Sequence, residues 1–159
     1  MAEVRRAGPG DAAAICEIVN HVIRETVVTF NSVEKTPGEI AAQMAAGQPF
    51  WVAEAGGAVL GYASYGPFRG GVGYRHTVEH SIALVEAAQG QGAGRALMAA
   101  LCDDAKAAGV HSVFAGVSGE NGAGLAFHAA LGFAEVARLR EVGRKFDRWH
   151  DLVLMQKFL

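Results

Sequence analysis

The segment Gln89-Gly90-Gln91-Gly92-Ala93-Gly94-Arg95-Ala96-Leu97 sets glycine at alternate positions between two stretches of different periodicity. Upstream, His76 to Val85 is rich in β-branched and apolar residues, which predicts a strand. Downstream, about Gly92 to Ala108 carries a helical pattern. Alternating glycines let successive backbone N–H groups turn inward into a concave anion nest, and the helix that starts there adds the positive end of its dipole. A phosphate group suits such a place; a glycine-rich turn with no ligand is the plain alternative. The dinucleotide fingerprint needs glycine three positions beyond Gly92, where Arg95 stands. A P-loop needs Gly-Lys-Ser/Thr, which is absent.

Outward from this segment the chain alternates strands and helices. Glu3 to Ala7 reads as a first strand, ended by Gly8-Pro9-Gly10. Asp11 is placed to cap a helix whose apolar residues Ile15, Ile18, Val19, Val22 and Ile23 share one face. Thr36-Pro37-Gly38-Glu39 is a capping box opening a second helix to about Ala46. Gly56-Gly57 between Phe50 to Ala55 and Ala58 to Tyr65 predicts a hairpin. After the long helix come a strand at His111 to Val117, a short helix at Asn121 to Ala130, and strands at Phe133 to Val142 and His150 to Gln156. The order β-α-α-β-β-β-α-β-α-β-β predicts one α/β (α+β) domain over residues 1–159, a mixed central sheet with helices on both faces.

Composition narrows the function classes. Of the 159 residues, 51% are hydrophobic and 19% charged, which argues against disorder. A net charge of -2 gives no reason to expect nucleic acid or an anionic membrane as partner. No apolar run approaches the roughly 18–20 residues of a membrane span, and Met1 to Arg6 lacks a signal-peptide core. Cys16 and Cys102 have no metal spacing and suit a reducing compartment, so a cytoplasmic location is expected. The basic residues Arg138, Arg140, Arg144, Lys145 and Arg148 read as solvated sheet surface.

His76-Thr77-Val78-Glu79-His80 spells a zinc-hydrolase pattern, but only on a helix. On a strand its histidines stand about 13 Å apart, too far to share one zinc, and Glu79 points to the opposite face from both. No metal is expected. Thr77, Glu79, Ser81 and Ala83 share one face just upstream of the glycines. A carboxylate on a central strand has either a partner, such as Arg75, or a task.

Gln89, Gly92 and Gly94 match the pattern Gln/Arg-x-x-Gly-x-Gly/Ala, and this segment resembles the pyrophosphate loop of the GNAT N-acetyltransferases. Tyr74-Arg75-x-Thr77-Val78-Glu79-His80-Ser81 resembles the phosphinothricin acetyltransferase branch of that family, in which a glutamate at the position of Glu79 is the general base. The resemblance runs nearly end to end: Thr29-Phe30 as the substrate-side loop, Asn121 with His128 and Leu131-Gly132-Phe133 as a second cofactor segment, Val142-Gly143-Arg144-Lys145-Phe146 with Trp149 and Asp151 as a C-terminal signature. Gln89 replaces a more frequent arginine, Ala83 a frequent tyrosine, and His128 the tyrosine of many wider-family members.

The resemblance implies acetyl transfer from acetyl-CoA to the primary amine of a small molecule, an amino-acid analogue such as phosphinothricin or methionine sulfoximine or sulfone. It implies Glu79 as base and His128 as proton donor to the leaving thiolate. Ile82, Ala83 and Leu84 would line the pantetheine arm; Gln89, Gly90, Gln91, Gly92, Ala93, Gly94, Arg95 and Asn121 would hold the rest of the cofactor. Phe30, Tyr74, Arg75, Thr77 and Trp149 would shape the amine side. A homodimer is expected by the same analogy. Acetylation of polyamines or protein N-termini, and a non-catalytic acyl-CoA-binding module, are the competing readings.

Overall fold

The computed structural model describes residues 2–159; Met1, the start of the stretch read as leaderless, lies outside them. Seven strands form one sheet, β1 (Glu3–Arg6), β2 (Phe50–Ala55), β3 (Ala58–Pro67), β4 (Thr77–Leu84), β5 (Ser112–Ser118), β6 (Ala134–Lys145) and β7 (Arg148–Phe158). Four helices join them: α1 (Ala12–Glu25), α2 (Pro37–Ala45), α3 (Ala93–Ala107) and α4 (Gly122–Ala130). The element order is the one expected. The spatial order is β1-β2-β3-β4-β5-β7-β6.

Local chemistry accounts for most boundaries. Thr36 Oγ1 accepts from the Glu39 amide while the Glu39 carboxylate accepts from the Thr36 amide, so α2 begins with a complete capping box. Asp11 does not cap α1 with its side chain; its carboxylate accepts from the Gly8 amide and pairs with Arg5 instead, closing the short turn before the helix. The β6–β7 hairpin is longer than expected. It closes on Phe146 and Asp147, both left-handed (φ 53° and 57°), a turn normally given to Asn and Gly and therefore not visible in the residue types.

Two cores flank the sheet. On one face Leu97, Met98, Leu101 and Ala105 of α3 meet Ala63, Val78, Val113, Ala115 and Val153. On the other, Ile15 and Ile18 of α1 and Ile40 of α2 meet Phe50, Val52 and Tyr62. Each fully buried leucine or isoleucine here contributes about 1.5–3 kcal/mol. No described helix is long and apolar enough to cross a membrane.

One junction matters most for function. Of the six strand pairings among the described residues only β4–β5 is parallel, and it runs from Thr77↔Ser112 to His80↔Ala115. Beyond that point Ser81 to Leu84 stay paired to β3, and Gly116 to Ser118 stay paired to β7. The two strands part, leaving a notch in the middle of the sheet edged by unpaired backbone groups.

Candidate active site

The glycine segment lies at the mouth of this notch. Gly90 and Gly92 both take left-handed backbone angles (φ 73° and 87°), and Gly92 caps α3. A Cβ at either would stand in open space, so the surface beside them is clear. The first-turn amides of α3 have no intrahelical acceptors. Arg95 occupies this first turn, where a cation opposes the helix dipole, and no acidic residue is there to compensate. An anion bound at the helix start removes that conflict. Some predicted contacts have other employment: Gln91 donates its amide to Ala87 O, and Asn121 Oδ1 accepts from the Gly124 amide as the cap of α4. Gly94 abuts Phe127 and Leu84, holding α3 close to α4 and the end of β4.

Glu79 stands one residue before the parting of β4 and β5. Its Oε2 lies beside Gly116, and a Cβ on that glycine would approach both Glu79 Oε2 and Leu152 Cδ1 at 3.4 Å. Among the described residues the carboxylate has no hydrogen-bond or ion-pair partner. Partial desolvation by the apolar strands raises its pKa above the usual carboxylate range. The alternative of an ion pair with Arg75 is absent: Arg75 Nε donates to His76 Nε2 at 3.1 Å, and His76 Nδ1 donates to Gly109 O at 2.8 Å. This chain of bonds turns Arg75 towards the α3–β5 turn, away from Glu79. The same geometry separates His76 from His80, whose partner is His128.

His80 and His128 lie on the opposite face of β4 from Glu79. His128 Nδ1 donates to Gly124 O at 2.7 Å, which leaves its Nε2 to accept from His80 Nε2–H at 3.0 Å. His80 is 6% exposed, and its Nδ1 has no partner among the described residues. Burial, with His128 next to it, pushes the His80 pKa down to about 3; burial lowers that of His128 too. Both rings are therefore held neutral, and His128 has no free N–H. Such groups bind more protons unfolded than folded below pH 6.5, so stability is full above that value and declines as pH falls through it. In His80→Phe, the His128 acceptor loses its donor, which should cost about 1–3 kcal/mol at pH 7. The fall in thermal midpoint between pH 7 and 5 should also become shallower than in the parent. An equally steep acid limb would assign the acid sensitivity elsewhere.

The amine side is built from distant parts of the chain. Phe30 stacks on His150 (5.3 Å, 21°) and lies so close over Gly143 that a Cβ there would sit 2.3 Å from its ring. His150 and Leu152 of β7 alternate onto the face of the sheet that carries Glu79. Trp149 therefore faces the other way; it is 57% exposed under the Arg144 guanidinium. Tyr74 is exposed beneath Arg69, whereas Thr77 shares the Glu79 face. Residue types alone missed His150, Gly116 and Leu152. They also misplaced Lys145, expected on solvated surface but only 5% exposed.

Comparison with known proteins agrees with this geometry. Residues 17–133 match the model of the Acetyltransferase (GNAT) family. The chain is 41% identical over 157 residues to the L-amino acid N-acyltransferase MnaT of Escherichia coli, covering 96% of this chain and 91% of that protein. It is 41% identical, over 96% of this chain and 92% of the other, to the L-methionine sulfoximine/L-methionine sulfone acetyltransferase of Salmonella typhimurium. The GNAT phosphinothricin acetyltransferase of Sinorhizobium meliloti, solved with acetyl-CoA, superimposes with a TM-score of 0.93 at 34% identity, over 99% of this chain and 88% of that one. A parted β4–β5 pair, a helix opened by left-handed glycines at its mouth and a matching sequence from end to end together make this chain a member of the GNAT acetyltransferase family.

Proposed function

We propose that the chain acetylates the primary amine of a small amino-acid analogue, of the methionine sulfone, methionine sulfoximine or phosphinothricin kind, using acetyl-CoA. The observation that carries this reading is Glu79, a carboxylate with no partner among the described residues, raised in pKa, placed where β4 and β5 part. An alkylamine with a pKa near ~10.4 is mostly protonated at neutral pH and cannot attack. Glu79 takes that proton, directly or through one water.

Acetyl-CoA supplies an activated acetyl thioester. Gln89 to Arg95 fit its pyrophosphate through the left-handed glycines, the first-turn amides of α3 and the Arg95 charge. Ile82, Ala83 and Leu84 present the unpaired backbone edge of β4 to its pantetheine amides. Asn121 contributes by starting α4; His128, expected as proton donor to the leaving thiolate, has its Nδ1–H bound to Gly124 O and packs under β4 through His80 instead. Phe30, Thr77 and His150 line the amine side, with Tyr74 at its edge. Because Arg75 is bound to His76, Arg75→Ala should change KM equally for an amine with and without a carboxylate. A rise confined to the carboxylate-bearing amine would make Arg75 the reader of that group.

The same reading takes residues 1–159 as one cytoplasmic domain acting as a homodimer. Val136, Val142, Phe146 and Trp149, exposed on β6, β7 and the turn between them, are apolar surface that a second copy would cover; sedimentation velocity reads the assembly. The functional test is a panel of L-methionine sulfone, L-methionine sulfoximine, phosphinothricin, spermidine and a short peptide, each with acetyl-CoA, following thiol release. Turnover of the three analogues supports the proposal. Turnover of spermidine or the peptide alone overturns it.

A further inference from the structure

Lys145 is anomalous for its place in the chain. It stands beside a hairpin turn, where a lysine ordinarily reaches water, yet it is 5% exposed. Among the described residues no carboxylate lies within ion-pair distance of it. Its Nζ donates instead to two backbone carbonyls of the segment after α1, Thr26 O at 2.6 Å and Thr29 O at 2.9 Å. Burial lowers its pKa. An ammonium taken out of water without a counter-charge is costly, so such an arrangement persists where it secures something else.

What it secures is visible in its neighbours. The residue after Thr29 is Phe30, which lies over Gly143 and stacks on His150. His150 Nε2 donates to the backbone carbonyl of Lys145 itself at 2.9 Å, and its Nδ1 pairs with Glu120, which also holds Arg148. Lys145 thus grips both members of the aromatic stack, one through its side chain and the other through its carbonyl. The turn that aims it holds Phe146 and Asp147 in the left-handed region, a strained conformation for side-chain-bearing residues. Around Ile23, Arg24, Ser32 and Lys145 to Asp147 lies a recess of ≈ 340 Å³. The 26–31 segment, between α1 and α2, has no regular secondary structure of its own to hold it. Its other hydrogen bonds around Phe30 are local, Val28 to Thr26 Oγ1 and Asn31 to Thr29 Oγ1.

We infer that Lys145 is a positioning residue for amine binding: it fastens the 26–31 segment so that the Phe30–His150 stack forms a fixed wall on the Glu79 face of the sheet. The inference rests on the acetyltransferase reading above, and its test separates the two. In Lys145→Met, which keeps the stem and removes the ammonium, the amine KM should rise by at least about tenfold. The acetyl-CoA dissociation constant should stay at the parent value, because the nest lies on other elements. Hydrogen–deuterium exchange of amides 26–31 should accelerate by a similar factor, with α3 and β4 unchanged. Parent-like exchange in that segment, or faster exchange with an unaltered amine KM, overturns the inference.

Should Lys145→Met fail to fold, Gly143→Ala decides. Its added methyl displaces Phe30 while Lys145 remains, so the amine KM should rise with the exchange of Thr26 and Thr29 unchanged; an unaltered KM overturns the inference. If the parent protein acetylates no amine in the panel, the functional reading falls, and exchange at 26–31 in Lys145→Met still decides the fastening.

Discussion

Glu79→Gln should reduce turnover by about 10²–10⁴-fold, the usual loss when a general base is removed, with no change in acetyl-CoA affinity. Glutamine keeps the shape beside Gly116 and Leu152, so folding and the notch should survive. The pH profile is the sharper readout. In the parent, Glu79 is active when ionised, and desolvation has raised its pKa, so kcat/KM should climb with pH through an ionisation above the ordinary carboxylate range. In the variant that limb disappears. Activity should then rise only towards the amine's own pKa near ~10.4, because free amine must come from solution. His80 and His128 sit on the far face, the Nε2 lone pair of His128 is taken by His80 Nε2–H and the His80 pKa is lowered to about 3, so they offer no substitute base at this carboxylate. Parent-like turnover with an unshifted profile would remove Glu79 from the chemistry.

Gly92→Val should weaken acetyl-CoA binding by about tenfold to a hundredfold, measured by calorimetry on the folded variant. Gly92 holds φ 87° at the cap of α3, and a β-branched residue is strained there by on the order of 1–3 kcal/mol. The variant relaxes to an ordinary backbone angle, which turns the inward-facing amides away. Binding must then restore the strained form, and each 1.4 kcal/mol of that cost is about a tenfold loss in affinity. The side chain itself meets nothing within 4 Å in the free protein, so stability should change less than affinity. Gly94→Asp is the poorer test, because a side chain there strikes Phe127 and Leu84 and disturbs helix packing first. Unchanged affinity in Gly92→Val would reduce the segment to a turn.

The order of strands and helices was legible in the sequence because each boundary rests on neighbours in the chain. The capping box at Thr36 and Glu39, the paired left-handed glycines at Gly56 and Gly57, and the period change around Gly92 are all local signals. The place of Glu79 was legible for the same kind of reason, since alternation on a strand just upstream of the glycines fixes its face, while its role was read from the family resemblance. The places where the reading departs from the structure involve partners far away in sequence. Trp149 was expected on the amine side, but strand alternation relative to Leu152 and Gly116 turns it outward, and no local pattern reveals which face of β7 meets β4's carboxylate. Arg75 looked free to pair with Glu79 until His76 and Gly109, brought together by the start of β5, claimed it.

By itself, then, the sequence determined the elements and the mixed sheet, since propensity, capping and alternation act over a few residues, and it placed Glu79 on the strand just upstream of the glycine segment. Tertiary structure decided the rest. It chose where β4 and β5 part, joined His80 to His128 across 48 positions, and sank Lys145 under carbonyls 116 and 119 positions away. Those choices depend on long-range packing and on which buried polar group finds a partner, and neither leaves a trace in local sequence spacing.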